Sequence, residues 1–228
     1  MKEIMSITHR AYTALLDFLF PPTCVACAHV GFWLCDTCRL TLKSSHRRAD
    51  AHTLAATNFT GPARQLIHRT KYSGARDAAH TVADIIYDVC MEDISEHLAL
   101  YPSAKLVVTY IPARTKTVRE RGYNHAEAIA HHLATQLDAP LIATLAYVKD
   151  IPLMARTRSR AQRAQLLHKS MSSILTEPLS NTLLVIVDDV ITTGSTMREA
   201  HRALSCDTTI TPLGLTFAHT PRSTTQTK

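Results

Sequence analysis

The stretch that most constrains this chain lies at residues 183–196. Five consecutive apolar residues, Leu183, Leu184, Val185, Ile186 and Val187, run into two carboxylates, Asp188 and Asp189. After Val190 and Ile191 comes a short loop of hydroxyl residues around one glycine: Thr192, Thr193, Gly194, Ser195 and Thr196. A strand that is apolar at every position has to be covered on both faces, the situation of a parallel sheet between layers of helices. In such sheets ligands sit outside the carboxyl ends of the strands, and here that end is where the two acids stand. A loop that opens a helix offers unpaired N–H groups to an anion. The four hydroxyls can add donors, and Gly194 lets the backbone approach closely or take a positive φ. Adjacent carboxylates repel a bare phosphate but accept hydrogen bonds from vicinal hydroxyls. A phosphate at the loop with a diol at the carboxylates describes a ribose 5-phosphate. The plain alternative is a strand-to-helix turn with acidic caps; the order and spacing of all the parts weigh against it. The Gly-Lys-Ser/Thr element of a P-loop is missing.

The rest of the chain fits an α/β frame. Apolar positions at helical spacing (Ile7, Tyr12, Leu15, Leu16, Leu19) predict a helix over 7–20, stopped by Pro21 and Pro22. The polar, basic stretch 43–50 reads as a linker. An extended piece over 53–59 leads into helices over 62–71 and 76–98, and 105–111 is β-branched and apolar, a buried strand. A polar loop over 112–121, a helix over 124–137, a strand over 141–148 and a basic stretch over 152–170 follow. Beyond the strand at 183–187 come a helix over 196–205 and a last strand near 210–218. Strands alternating with helices predict a doubly wound, mainly parallel sheet. At 228 residues, 46% hydrophobic and 19% charged, there is material for one full domain and a small appendage. The division expected is 1–50, a helix and a cysteine module, and 51–228, the α/β domain.

The appendage is set by Cys24, Cys27, Cys35 and Cys38, two CxxC pairs seven residues apart. Four thiolates at that spacing suit one tetrahedral Zn2+, which would order a segment too short for its own core. Disulfides would need an oxidising compartment, and a redox CxxC is the functional competitor. Gly31 permits the turn between the pairs, Phe32 and Trp33 can cover the site, and Cys90 and Cys206 read as inert thiols. The zinc expected is structural, with no open position for catalysis. The formal charge of +6 suits phosphate-bearing partners but is too spread out to demand nucleic acid. The longest early apolar run, 14–20, is too short to cross a bilayer, so a soluble, cytoplasmic protein without a membrane span is expected.

The segment 187–196 resembles the 5-phosphoribosyl diphosphate (PRPP) signature of type I phosphoribosyltransferases. Further stretches narrow this: Leu16-Asp17-Phe18-Leu19-Phe20-Pro21-Pro22 before the first cysteine pair, Phe59-Thr60-Gly61-Pro62, Lys71-Tyr72-Ser73-Gly74, and Arg119-Glu120-Arg121-Gly122-Tyr123-Asn124. In that order they resemble the ComF family of competence-associated, phosphoribosyltransferase-like proteins. The chain departs from the family at Tyr110, where Pro is usual, and around Met154, Ala155 and Leu166.

The resemblance implies that Asp188 and Asp189 hold the ribose hydroxyls and serve at the reacting centre, and that Val190 and the loop Thr192, Thr193, Gly194, Ser195 and Thr196 wrap the 5-phosphate. It implies that the loop after the first core strand, with Arg114, Lys116, Arg119 and Arg121, takes the diphosphate together with Mg2+. A mobile loop over 152–170, with Arg156, Arg158, Arg160, Arg163 and Lys169, would exclude water. Lys71 and Tyr72 could line the acceptor side, or simply pack between helices. Apart from the resemblance, His125, His131 and His132 read as solvated helical histidines, with a ligand-facing His125 as the alternative. Three functions stay open at this point: a phosphoribosyltransferase releasing diphosphate, a phosphoribosyl-binding regulator without turnover, and an adaptor for single-stranded DNA or DNA-uptake proteins that uses the zinc module and the basic residues beside it.

Overall fold

The computed structural model describes residues 21–42, 44–72, 77–148 and 167–221. The helix expected over 7–20 and most of the basic stretch 152–170 lie outside them. The centre is a five-stranded sheet of β1 (Ser44–Asp50), β2 (Thr53–Asn58), β3 (Lys105–Tyr110), β6 (Thr182–Ile191) and β7 (Leu213–His219), in the order β1-β2-β7-β6-β3. The pairs β2–β7, β7–β6 and β6–β3 are parallel, and only the β1–β2 pair is antiparallel. The sheet is mainly parallel, as its apolar strands require.

The period-two alternation of β6 divides the core. Leu183, Val185 and Val187 face one layer, with Leu66 of α2 (Gly61–Tyr72), Val82, Ile86 and Ile94 of α3 (Ala78–Leu100), and Ile129 and Leu133 of α5 (His125–Gln136). Leu184 and Ile186 face the other, with Met197, Ala200 and Leu204 of α6 (Ser195–Leu204). All five β6 residues are fully buried. Helices therefore cover both faces, and the chain is a doubly wound α/β protein with a four-cysteine cluster at its N-terminal side.

Three expectations need correcting. The linker expected over 43–50 is strand β1 from Ser44 onward, paired with β2 in a register that slips twice. Polar edge strands lack the apolar alternation by which strands are recognised. The loop expected over 112–121 contains α4 (Thr115–Arg121), whose seven residues hold neither Gly nor Pro; Gly122 ends it at φ 81°. The strand expected over 141–148 is not part of the main sheet beyond a single parallel bridge from Leu141 to Val108. The buried Thr144 hydroxyl meets that of Thr109 at 2.9 Å, and the chain turns there into β4 (Leu145–Tyr147), which pairs antiparallel with β5 (Met171–Ser173).

The Leu141 bridge fixes where the chain runs after β3. After β3 the chain leaves across the α3–α5 face to Leu141, on the far side of β3 from β6. After β6 it leaves in the opposite direction, along the α6 face, to β7. The connections diverge between β3 and β6, and a crevice at that point is where open α/β sheets bind ligands.

Candidate functional site

Asp188 and Asp189 sit half-buried near the carboxyl end of β6, beside that divergence. The Asp189 N–H donates to Asp188 Oδ1 at 2.8 Å, and Asp189 forms an ion pair with Lys71 of α2 in which both side chains are largely buried. Burial pushes the Asp188 carboxyl up to about 7, and the charge of Asp189 adds to this; the Asp189 N–H and Lys71 act the other way. Near neutral pH the two acids thus hold fewer than two negative charges.

Beyond them, β6 enters the hydroxyl loop. Thr192 is exposed, Thr193 and Thr196 are half-buried, and Gly194 and Ser195 are buried. Gly194 stands at φ 72° as the residue before α6, a conformation in which a Cβ costs energy. A Cβ there would also meet the Arg198 guanidinium at 2.8 Å. Thr193 and Ser195 share a hydroxyl hydrogen bond of 2.8 Å, and Arg198 donates to Ser195 Oγ at 3.2 Å. The first N–H groups of α6 have no helical partners, as at any helix start. The strand, both acids and the hydroxyl loop follow in that order, but β6 runs past the expected end at Val187 to Ile191, so both acids lie within the strand, with Asp188 level with Thr216 of β7.

On the β3 side, Ile111 donates to Val187 O at 2.9 Å, holding the β3 exit against β6. Asn124 caps α5, accepting from the Ala126 N–H at 3.1 Å and donating to Ile111 O at 3.0 Å. His125, expected to be solvated, is 7% exposed, because this cap turns it inward. It contacts Arg121 at 3.2 Å and meets the Tyr123 ring edge-on. Burial lowers its pKa to about 4; Asp189 opposes this, and Lys71 and Arg121 reinforce it. The Tyr123 hydroxyl donates to Thr70 O, which ties the last turn of α2 to the α4–α5 junction.

The four predicted loop cations divide. Arg121 contacts His125, and Arg114 lies over the Tyr147 ring, 5.9 Å from its centroid. Tyr147 has a raised pKa, from burial first, with Arg114 lowering it and Asp188 raising it. Lys116 and Arg119 are exposed on α4, with Lys116 paired to Glu120 of the same helix at 4.0 Å. The Lys71–Asp189 pair and the burial of His125 had no readable sequence signal. Tyr110, at the departure from the family pattern, donates to Glu127 at 3.2 Å.

The sulfurs of Cys24, Cys27, Cys35 and Cys38 all lie within 4.8 Å of one another. Zn–S bonds of about 2.3 Å in a tetrahedron place sulfurs roughly 3.8 Å apart, and Cys27 and Cys35 are at 3.6 Å. Burial raises the Cys24 thiol, but N–H groups of Cys35, Cys27 and Ala26 outweigh it and bring it to about 6. The neighbouring sulfurs push Cys38 up to about 12. The cluster is compatible with a structural zinc. Cys24 and Leu34 belong to the main core, and Arg39 pairs with Asp88 and donates to Asp84 O at 3.2 Å, docking the module on α3.

Among curated proteins, Competence protein F of Haemophilus influenzae (strain ATCC 51907 / DSM 11121 / KW20 / Rd) is 27% identical over 148 residues. This chain resembles that protein in sequence. The match covers 64% of this chain and 63% of the length of Competence protein F. No protein-family model matches the chain. Among solved structures, TT1426 from Thermus thermophilus is 14% identical, with a TM-score of 0.29 over 65% of this chain and 84% of that one. So slight a likeness carries no argument. Among the described residues no helix is long and apolar enough to cross a membrane.

Proposed function

We propose that this chain binds a phosphoribosyl ligand of the PRPP type at the β3–β6 divergence. The observation that carries the reading is the run of Asp188 and Asp189 into a positive-φ Gly194 turn at the start of α6, beside that divergence. In this reading the acids accept from the ribose hydroxyls, and the hydroxyl loop and the α6 N–H groups surround the 5-phosphate. The 1-diphosphate then points to the β3 side, toward Arg121 and Arg114. Mg2+ belongs to the same reading as a hard cation for diphosphate and carboxylate oxygens, and Zn2+ belongs to the four cysteines. The name of the curated relative supplies the cellular setting we propose, competence.

The same arrangement suits phosphoribosyl transfer. The C1–O bond to diphosphate breaks with its electron pair leaving on the diphosphate, and an incoming nucleophile forms the new bond at C1. Cations on the departing side stabilise the charge that develops there. The adaptor reading is weaker, because Arg39, one of the basic residues beside the cysteines, is engaged by Asp88 and the Asp84 carbonyl.

Calorimetry with PRPP and Mg2+ tests the central claim. Wild type is expected to bind and the Asp188→Asn, Asp189→Asn double variant to lose at least about tenfold in affinity. No heat from wild type, or equal binding by the double variant, would sink it. Diphosphate release across a panel of bases and amines separates transfer from binding alone.

A further inference from the structure

Lys71 stands outside every phosphate-binding element described above. It comes from the last turn of α2, far earlier in the chain than β6, yet its ammonium is ion-paired with Asp189. The placement is enforced. Thr70 beside it is buried, its hydroxyl donates to Ile67 O at 2.8 Å, and its carbonyl accepts from the Tyr123 hydroxyl. With side-chain exposures of 22% for Lys71 and 15% for Asp189, the pair is largely buried and not on open surface.

The neighbours of Lys71 define which part of a ligand it faces. His125 feels the charges of Asp189, Lys71 and Arg121 together, and it touches Arg121. The Tyr123 hydroxyl on Thr70 O, the Tyr123 ring against His125 and the Arg121–His125 contact put the end of α2, with Lys71, beside the α4–α5 junction that carries Arg121. An ammonium has three N–H donors, and one carboxylate oxygen takes one of them. A ribose with its 5-phosphate at α6 and its hydroxyls on the acids projects its 1-substituent toward the β3 side.

We propose that Lys71, alongside Arg121 and Arg114, is a residue through which this site distinguishes a ribose 5-phosphate bearing an anion at its 1-position from one without it. The inference rests on the reading given under Proposed function. Hydroxyls on Asp189 compete with the ammonium for one carboxylate. A 1-diphosphate offers that ammonium new acceptors, whereas ribose 5-phosphate offers none. The acids and the hydroxyl loop hold what the two ligands share, and Lys71, with Arg121 and Arg114, reads what differs.

The test is calorimetry of the full chain with PRPP and with ribose 5-phosphate, each with Mg2+. Wild type is expected to prefer PRPP by about tenfold to a hundredfold, the range of one or two charge-assisted contacts. Lys71→Gln should reduce that preference by about fivefold or more, with Arg121, Arg114 and Mg2+ keeping the remainder, while ribose 5-phosphate binding stays within about threefold. That retained binding is the internal control for folding. Lys71→Met, which keeps the packed stem, is read instead if the Gln variant lacks the wild-type circular dichroism spectrum. Lys71→Arg should restore the preference. If wild type binds neither ligand, the site reading fails and this inference with it. If wild type binds PRPP but the neutral variants keep its preference, or lose both ligands equally, Lys71 is only a structural counter-ion and the inference is overturned.

Discussion

At the scale of single residues, the site puts acids where folding alone would not keep them. Asp188 has a folded pKa of about 7 against an ordinary value of 3.8, so its carboxyl favours the folded state while protonated. That contribution is complete below 3.8 and is lost as pH rises through about 7. Asp188→Asn should therefore match wild type in urea unfolding near pH 4 and exceed it above pH 7, by an amount of the order of a few kcal/mol. The comparison has to be with the variant, because His125 titrates in the opposite sense. Its folded value, near 4, lies below its ordinary 6.5, so its contribution is present above 6.5 and lost as pH falls through 4. If the difference between Asp188→Asn and wild type is flat from pH 4 to 8, the burial argument for Asp188 is wrong. Stability gained with the loss of ligand binding would mark Asp188 as a residue kept for function.

Among elements, the β4–β5 pair stands apart from the main sheet and packs on α6. Glu199 is buried on α6 and accepts from the N–H groups of Ser170 at 2.9 Å and Met171 at 3.2 Å, while Arg202 bonds its carboxylate and also Met171 O. Burial raises the Glu199 pKa, but these donors outweigh it, and the net shift is downward. Glu199→Ala leaves two N–H groups without that acceptor and should cost about 2–4 kcal/mol in urea unfolding, with faster amide exchange at Met171. Unchanged exchange there would show that β5 is held by something else. None of this clamp was legible beforehand, for Glu199 reads as one more acid on an amphipathic helix. What was legible had a local cause. The apolar run of β6 demanded burial on both faces, and Asp188, Asp189 and the Gly194 turn followed it without a gap. What was not legible depends on partners distant in sequence: the three-residue strands β4 and β5, the polar edge strand β1, the meeting of Lys71 with Asp189, and the inward turn of His125 beneath the Asn124 cap.

For the molecule as a whole, the cysteine module shares the main core through Cys24 and Leu34, at 3% and 5% exposure. One zinc per chain is expected by elemental analysis. Stripping it with a chelator, or Cys38→Ser, should lower the melting temperature of the whole protein by at least about 5 °C. A module that came apart alone would leave the main transition in place, and that outcome would contradict the shared core. The strand that follows the module has a further consequence. Among the described residues β1 is the outer strand of the sheet, and its sequence carries His46, Arg47, Arg48 and Asp50 while its register against β2 slips twice. Open strand edges invite a strand from a second molecule, and charge with irregular pairing is how natural sheets discourage it. The β2 edge is covered by a strand that is a poor template for another chain, so the segment that escaped recognition as a strand also disfavours edge-to-edge joining of two copies.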